Sequence, residues 1–221
     1  TVSCCELLSN LVFSGHEQHH NNSFLIASLI MGQSNMAAGA NIGSNHNSRG
    51  NDGEMVAGRG FWPALSSTLK YDCKFASYVL ITKGNYPHEL NIALPFSLLS
   101  ADTKESRRVV MPAYWWMYNL YALERNSYKY RKRDKRKVIR QHIETEYLAP
   151  DTVNEIFHAC DLLCLWVAQN FNRAHASNEE QKNLIRMGKE LILNKASEVS
   201  SLHVYAWGLE NSNEPVEILK V

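Results

Sequence analysis

The sequence lacks an excess of charge of either sign, and it lacks any long hydrophobic run. Its 221 residues include 23 Lys and Arg against 22 Asp and Glu, so the formal net charge is +1. A nearly neutral chain gives no global electrostatic reason to expect nucleic acid or an anionic membrane as a partner. No apolar stretch approaches the roughly 18 to 20 residues that a membrane helix needs. We therefore expect a soluble protein with no nucleic-acid partner and no membrane partner.

The sequence also lacks a recognisable disulfide framework. The five cysteines are scattered, and Cys4 and Cys5 are adjacent, which does not suit an ordinary disulfide framework. We therefore expect reduced thiols and a cytoplasmic location. The first residues also lack the basic-then-apolar pattern of a secretion signal. The sequence starts at Thr1 without a Met, and we expect it to be a piece of a longer protein.

Glycine is nearly missing from the second half, since nine of the eleven glycines fall at or before Gly84. This asymmetry predicts a turn-rich β region first and a helical region second. We place the β region at residues 1–110, an α-helical module at 111–200 and short terminal β strands at 201–221. Within the helical module, Thr152 and Glu155 have the spacing of a capping box at a helix start.

A large apolar residue returns every six positions in the first part of the chain. The large residues are Phe24, Ile30, Met36 and Ile42, and the small or polar residues four positions after them are Ser28, Ser34, Ala40 and His46. A period of six suits short strands joined by tight bends, each strand sending one bulky side chain into a shared interior. The alternative is a loop followed by a buried helix over "SFLIASLIMGQSNMAAGA", in which each glycine would cost about 1 kcal/mol.

Three long blocks carry a resemblance to a known family. They are "EQHHNNSFLIASLIMGQSNMAAGANIGSNHNSR", "GRGFWPALSSTLKYDCKFASYVLITKGNYPHELNIALPFSLLS" and "VVMPAYWWMYNLYALERNSYKYRKRDKR". Together they resemble a bacterial family of uncharacterised proteins with a trimeric LpxA-like, hexapeptide-repeat region. The resemblance implies a left-handed parallel β-helix followed by a helical part, in proteins commonly longer than this chain, and it suggests a homotrimer. The left hand is taken from the family, because it is an exception to the usual crossover rule.

Superfamily relatives are mostly acyltransferases acting on sugars, nucleotide sugars or amines. The resemblance therefore implies an acyltransferase-like enzyme with a sugar or nucleotide-sugar substrate and acetyl-CoA or another acyl thioester as donor, with no tightly bound cofactor. A histidine would act as the general base, because its pKa near 6.5 suits proton transfer at neutral pH. Fold analogy alone does not establish such an activity.

Histidine and asparagine cluster at both ends of the repeat, Arg49 belongs to the second cluster, and the other candidates lie farther along the chain. The candidate bases are His19, His20 and His46, and the candidate substrate-binding residues are Asn45, Asn47, Arg49, Arg59, Trp62 and Lys83. The arginines can pair with a phosphate or carboxylate, and Trp62 can stack on a sugar or a base. The same residue types also crowd ordinary loops for conformational reasons.

Two other functions are compatible with the same residues. The motif "HEQHH" presents three imidazoles, and hydratase-type zinc sites use three histidines plus water. The spacing does not match such sites, so we predict no metal. The other alternative is a non-catalytic scaffold that binds or docks a neighbouring sugar-nucleotide enzyme. The basic stretch "KYRKRDKRKVIR" is interpreted as a solvated helix face or linker, since acidic residues lie nearby.

Overall fold

The computed structural model describes residues 1–45, 50, 53–101, 107–172 and 181–220. Within these ranges the chain forms short β-strands first and helices later, with two strands at the end. In chain order the strands are β1 (Cys5–Leu8), β2 (Leu11–Val12), β3 (Ser23–Ile26), β4 (Ser28–Ile30), β5 (Asn41–Ser44), β6 (Met55–Ala57), β7 (Trp62–Pro63), β8 (Thr68–Lys70), β9 (Lys74–Phe75), β10 (Leu80–Ile81), β11 (Asn85–Tyr86), β12 (Asn91–Ile92), β13 (Leu98–Ala101), β14 (Arg108–Met111), β15 (Val204–Ala206) and β16 (Val216–Ile218).

The strands form three sheets in the described residues. The first sheet has the order β1-β3-β5-β8-β11 and the second β12-β9-β6-β4-β2, and every pair in both is parallel. The third sheet has the order β15-β16-β14-β13-β10-β7 and mixes parallel and antiparallel pairs. Strands β1 to β4 alternate between the first and second sheets, and Cys5 pairs with Ser23. From β5 to β13 the chain visits the three sheets in rotation, and Leu80 pairs with Leu98.

The larger of two apolar clusters in the described residues lies between the sheets. Alternate residues of β3, β4 and β6 are buried, because successive side chains of a strand point to opposite faces. Ile30, Met36 and Ile42 are fully buried in one cluster, so the predicted inward positions are confirmed there. Leu25 is buried in place of Phe24, which is only half-buried. The alternative helix over residues 23–40 is wrong, because this segment contains β3 and β4.

Tight corners join the strands, and two glycines show what these corners require. Gly32 and Gly43 have positive φ angles of 96° and 81°. A Cβ at Gly32 would lie 2.4 Å from the Ser14 carbonyl oxygen, and one at Gly43 would lie 2.3 Å from the Ile26 carbonyl oxygen. Only glycine fits both the backbone conformation and this close approach of neighbouring chain segments.

The predicted fold class, which centred on a left-handed parallel β-helix of hexapeptide repeats followed by an α-helical module, is wrong, but its short terminal β hairpin is present as the antiparallel pair β15–β16. The described residues form an α/β fold of three mostly parallel sheets and five helices, and the sheets do not close into a solenoid. The terminal strands belong to the third sheet, since β16 pairs with β14. The six-residue period predicts which side chains enter the core. It does not predict how the strands are arranged into sheets, and for this reason the solenoid prediction failed.

The helices are α1 (Tyr114–Tyr118), α2 (Leu120–Arg133), α3 (Pro150–Asn172), α4 (Gln181–Asn194) and α5 (Ala196–Ser200). Trp115 of α1 and Leu123 of α2 are buried beside the third sheet, where they pack with Tyr78 and Phe96. The Tyr78 and Phe96 rings are stacked with centroids 4.9 Å apart. The aromatic stretch at the start of the helical part therefore anchors α1 and α2 to the sheets.

Side chains near both ends of helix α3 form hydrogen bonds with the sheets and their connecting segments. The predicted capping box is wrong, because α3 begins at Pro150 and the Thr152 hydroxyl accepts a hydrogen bond from the Ala149 N–H at 2.9 Å. The Glu155 carboxylate instead accepts the Ser77 N–H at 2.8 Å. Farther along α3, the Asn170 amide donates to the Tyr205 carbonyl at 2.8 Å and accepts its N–H at 3.1 Å. This contact covers β15, the edge strand of the third sheet.

Candidate functional site

A cleft of about 270 Å³ opens between the sheets and helix α2. Its walls combine charged, amide and aromatic side chains from distant parts of the chain. The sheet side includes Glu17, His19, His20, Asn35 and Trp62, and the helix side includes Arg125, Asn126, Lys129 and Tyr130. Concave surfaces with a few convergent polar groups are the usual place for small-molecule binding.

Strand-like alternation brings Glu17 and His19 to the cleft. His16 and Gln18 are buried, whereas Glu17 is half-buried and His19 is exposed. The backbone here runs parallel to a neighbouring segment, with Glu17 bridged to Asn35. The Glu17 N–H donates to the Ser34 carbonyl at 2.8 Å, and the Met36 N–H donates to the Glu17 carbonyl at 2.8 Å. These bonds hold alternate side chains toward the core and toward the cleft.

Glu17 and His19 form a carboxylate–imidazole pair at the mouth of the cleft. The His19 Nδ1 lies 3.3 Å from the Glu17 Oε2, and the His20 ring lies beside His19 with centroids 4.4 Å apart. Partial burial would raise the pKa of Glu17, but the Thr1 ammonium, 3.7 Å from the same Oε2, brings it below its ordinary value, with smaller contributions from Lys129 and His19. Glu17 is therefore an ionised partner for His19 at neutral pH.

A buried chain of hydrogen bonds supports this segment from beneath. His16 Nδ1 lies 2.8 Å from the Ser34 hydroxyl, and His16 Nε2 lies 3.0 Å from Gln18 Oε1. The Gln18 amide donates to the Ser23 hydroxyl at 3.2 Å, and that hydroxyl donates to the His20 carbonyl at 3.0 Å. Burial lowers the pKa of His16, so its ring is neutral and donates from Nε2 to Gln18. This series of hydrogen bonds thus connects the core to the backbone of His20.

Aromatic rings line the cleft on the side of the third sheet. Trp62 is half-buried and packs near Trp115, with ring centroids 5.9 Å apart. Trp115 in turn meets Tyr78 edge-on at 6.3 Å. Buried neighbours thus hold Trp62 in place, and its half-exposed indole presents a fixed apolar surface inside a polar cleft.

Arg59 lies behind this wall and is bound by the protein itself. Its Nε and Nη2 donate to the two Asp151 carboxylate oxygens at 2.6 and 2.9 Å, and its Nη1 donates to the Glu146 carbonyl at 2.8 Å. Burial would lower the pKa of Arg59, but the hydrogen bond with Asp151 raises it above its ordinary value. Arg59 therefore joins the sheets to the start of α3 and to the segment before it, and its donors are occupied.

The structure brings together three of the predicted site residues, namely His19, His20 and Trp62. Lys83 is exposed and does not line this cleft. Asn45 is half-buried at the end of the first described range and does not line the cleft either. The remaining predicted residues, His46, Asn47 and Arg49, lie outside the described residues.

Sequence reasoning missed the helix side of the cleft and the role of Glu17. Arg125 and Lys129 are spaced four residues apart on α2, which places them on one helix face. That spacing was visible in the sequence, but nothing local indicates which surface the face meets. Glu17 could have been found from the alternation of His16, Glu17, Gln18 and His19.

The three imidazoles of "HEQHH" do not gather into a metal site. His16 is turned into the core, whereas His19 and His20 face the cleft. Within the ranges that the structure describes, no three His, Cys, Asp or Glu side chains are grouped so that they could hold a metal ion. These positions therefore give no support to the zinc alternative.

Comparison with known proteins finds a relative that matches along this whole chain. The chain is 50% identical over 220 residues to an uncharacterized protein of Treponema pallidum (strain Nichols). The match covers 100% of this chain and 29% of the relative, so the chain spans less than a third of that protein's length. No family model and no solved structure matches the chain. The LpxA-like resemblance therefore stays a prediction.

Among the described helices, none combines the length and the apolar character needed to cross a bilayer.

Proposed function

We propose that the cleft binds a sugar phosphate or the sugar end of a nucleotide sugar, and that His19 is the general base for acyl transfer to a sugar hydroxyl. The observation that carries the proposal is the Glu17–His19 pair, whose nitrogen and oxygen lie 3.3 Å apart at the mouth of a cleft lined opposite by Arg125 and Lys129. Acetyl-CoA or another acyl thioester would be the donor.

The Glu17–His19 pair suits proton abstraction. The Glu17 carboxylate, 3.3 Å from His19 Nδ1, attracts a proton to that nitrogen, which leaves Nε2 to accept the proton of a substrate. The same carboxylate stabilises the imidazolium that forms. His19 has 41% of its side chain exposed, so a substrate hydroxyl can reach it from the cleft.

The other walls suit an anionic sugar. The Trp62 ring can stack on the apolar face of a pyranose, and the two cations of α2 can pair with a phosphate. A cleft of about 270 Å³ is slightly smaller than the usual ligand pocket, whose volume is roughly 300 Å³ or more. A monosaccharide phosphate therefore fits inside, whereas a nucleotide or a pantetheine arm would extend outside.

The proposed reaction transfers an acyl group from the thioester to a sugar hydroxyl. His19 Nε2 takes the hydroxyl proton as the sugar oxygen attacks the thioester carbonyl, so a C–O bond forms. The amides of Asn35 and Asn126 line the cleft and can donate to the developing oxyanion. The C–S bond then breaks, and the leaving thiolate takes the proton from the His19 imidazolium.

Thiol release from acetyl-CoA, measured across a panel of sugar phosphates and nucleotide sugars, tests the proposal. His19→Gln is expected to lower kcat about 10²- to 10⁴-fold, and Glu17→Gln is expected to lower it less. Lys129→Met should mainly raise KM for the phosphorylated acceptor. The matched control is His203→Gln, because His203 forms a similar pair with Glu217 at 3.2 Å outside the cleft. No turnover with any acceptor would contradict the catalytic role.

The second candidate function is a non-catalytic binding module. The chain covers only 29% of its relative, so the cleft can serve another part of such a protein by holding its sugar ligand. Calorimetric binding of a sugar phosphate that is lost in Lys129→Met, combined with no thiol release, would favour this role. A homotrimer also stays a proposal, for which the mass in solution is the measurement.

We also propose a cytoplasmic location. All five cysteines lie in the described residues and carry free thiols, as is usual in a reducing compartment.

A further inference from the structure

Positive charge is concentrated around the end of α2, although the whole chain is nearly neutral. Between residues 129 and 140 only one acidic residue occurs, Asp134. The exposed cations of this stretch are Arg131, Lys132, Arg133, Lys135, Lys137 and Arg140. Arg131 is paired with Glu146 at 3.0 Å. The rest form a local electropositive surface that the overall charge of +1 conceals.

Arg136 closes the base of a loop within this surface. Its Nε and Nη2 donate to the Asp134 carboxylate at 2.9 and 2.6 Å, and its Nη1 donates to the Gln141 carbonyl at 2.6 Å. The Arg136 N–H also donates to Asp134 Oδ1 at 3.0 Å. One side chain thus joins the two ends of the segment from Asp134 to Gln141, which we call the Arg136 loop. Residues 137–140 form its tip.

The residues that flank the Arg136 loop on both sides are hydrogen-bonded to the β region. The Glu144 carbonyl accepts a hydrogen bond from Gln33, and the Glu146 carbonyl accepts one from Arg59 at 2.8 Å. At the start of the segment, the Tyr130 hydroxyl donates to the Gly15 carbonyl at 3.2 Å. The Arg136 loop therefore projects from a base that is held on both sides.

The tip carries two adjacent aliphatic side chains in water. Val138 is 65% exposed and Ile139 is 72% exposed, and they lie between Lys137 and Arg140. A single exposed aliphatic residue is common on protein surfaces. Here two adjacent ones form an apolar tip on a projecting loop, and cationic side chains surround that tip. Such a surface matches the boundary of an anionic bilayer, where acyl chains lie beneath negative headgroups.

We propose that the Arg136 loop docks this protein onto an anionic lipid surface, with Val138 and Ile139 entering the headgroup–acyl boundary and the surrounding cations facing lipid phosphates. A nucleic acid would also attract the charge, but it offers no apolar phase for the two aliphatic side chains. The nearby aromatic ring of Tyr128 is covered by the Lys132 ammonium, 5.6 Å from its centroid, and is a poor platform for base stacking. This inference does not depend on the proposed function of the cleft.

Co-sedimentation with vesicles tests the proposal. The chain is expected to bind vesicles that mix phosphatidylglycerol with phosphatidylcholine, to bind pure phosphatidylcholine vesicles much more weakly, and to be released by salt. The double variant Val138→Ser with Ile139→Ser keeps the charge and should weaken binding about tenfold. The matched control is Leu193→Ser on α4, where the side chain is 70% exposed, and it should bind like the wild type.

A second pair of variants tests the charge. Lys137→Glu with Arg140→Glu should abolish binding to the mixed vesicles, whereas Lys182→Glu with Lys189→Glu, which reverses two exposed charges on α4, should bind with at most a small loss. Equal binding by wild type and the serine variant would overturn the proposal, as would no binding to mixed vesicles. Fluorescence anisotropy with a single-stranded RNA supplies the competing outcome: tight RNA binding without vesicle binding would overturn the lipid proposal.

Discussion

At the residue scale, the buried imidazole of His16 shows how one side chain can couple the core to the cleft. It is only 5% exposed, yet both ring nitrogens have partners, in Ser34 and Gln18. The next link, Gln18 to Ser23, extends to the backbone of His20. Buried polar groups with satisfied hydrogen bonds specify one arrangement of the core, because any other arrangement leaves a donor or an acceptor unpaired.

The lowered pKa of His16 predicts a stability that depends on pH. The unfolded chain takes up a proton near the ordinary value of about 6.5, but the folded chain resists it because the ring is buried. The unfolding free energy should therefore be highest above that pH and fall as pH is lowered toward the folded pKa. Urea denaturation at pH 7.5 and 5.5, on either side of that value, measures the fall.

His16→Gln is the variant for this measurement, since its amide donates and accepts without titrating. We expect a smaller loss of stability between the two pH values than in the wild type. Ser34→Ala serves as the control: it removes one partner of the ring and should lower stability at both pH values, by about 1 kcal/mol, while retaining the fall. An unchanged fall in His16→Gln would assign the pH dependence to other groups.

At the scale of the elements, the sequence pattern predicted local spacing better than the joining of sheets. The six-residue period correctly placed Ile30, Met36 and Ile42 inside, because a strand's inward positions follow from its own alternation. It did not determine that the strands form three sheets or that β16 pairs with β14. Such pairings join segments far apart in sequence, and no local periodicity records them.

The sequence likewise predicts some residues of the candidate site and not others. His19, His20 and Trp62 were found because their residue types stand out in short stretches of sequence. Arg125 and Lys129 were not found, because their place in the cleft depends on where α2 packs. For the basic stretch after them the sequence predicts a solvated helix face or linker, and most of its cations are exposed, but the pattern does not predict the loop that Arg136 closes.

The contact between α3 and α4 supplies a prediction about helix packing. A Cβ at Gly188 would lie 1.8 Å from the Cys164 carbonyl oxygen, so the two helices meet at backbone distance. Gly188→Ala raises helix propensity by about 1 kcal/mol, yet we expect a net destabilisation of about 1–3 kcal/mol because the helices must separate. Lys189→Ala, at the exposed neighbouring position, should be within about 0.5 kcal/mol of the wild type. Thermal and urea unfolding measure both, and a stabilised Gly188→Ala would show that the helices separate without cost.

At the scale of the whole molecule, Arg59 joins parts of the chain that are distant in sequence. Its guanidinium contacts the Asp151 carboxylate at the start of α3 and the Glu146 carbonyl before it, while its backbone carbonyl accepts the Tyr78 N–H at 2.6 Å. The net charge of the whole chain does not predict a local contact of this kind, and it does not predict the local excess of positive charge around the Arg136 loop either. What matters is that the bidentate geometry with Asp151 fits a planar guanidinium and not an ammonium.

Arg59→Lys is therefore expected to be a damaging change despite conserving the charge. A lysine cannot donate to both Asp151 oxygens and to Glu146 at once, so we expect a loss of about 1.5–3 kcal/mol. The loss should be local: amide hydrogen exchange should speed up at the start of α3 and in residues 144–149, and much less in the central strands β5 and β8. Lys74→Arg, an exposed exchange of the same two residue types, is the control. Uniformly faster exchange across the sheets would mean that Arg59 stabilises the core as a whole and does not hold α3 in particular.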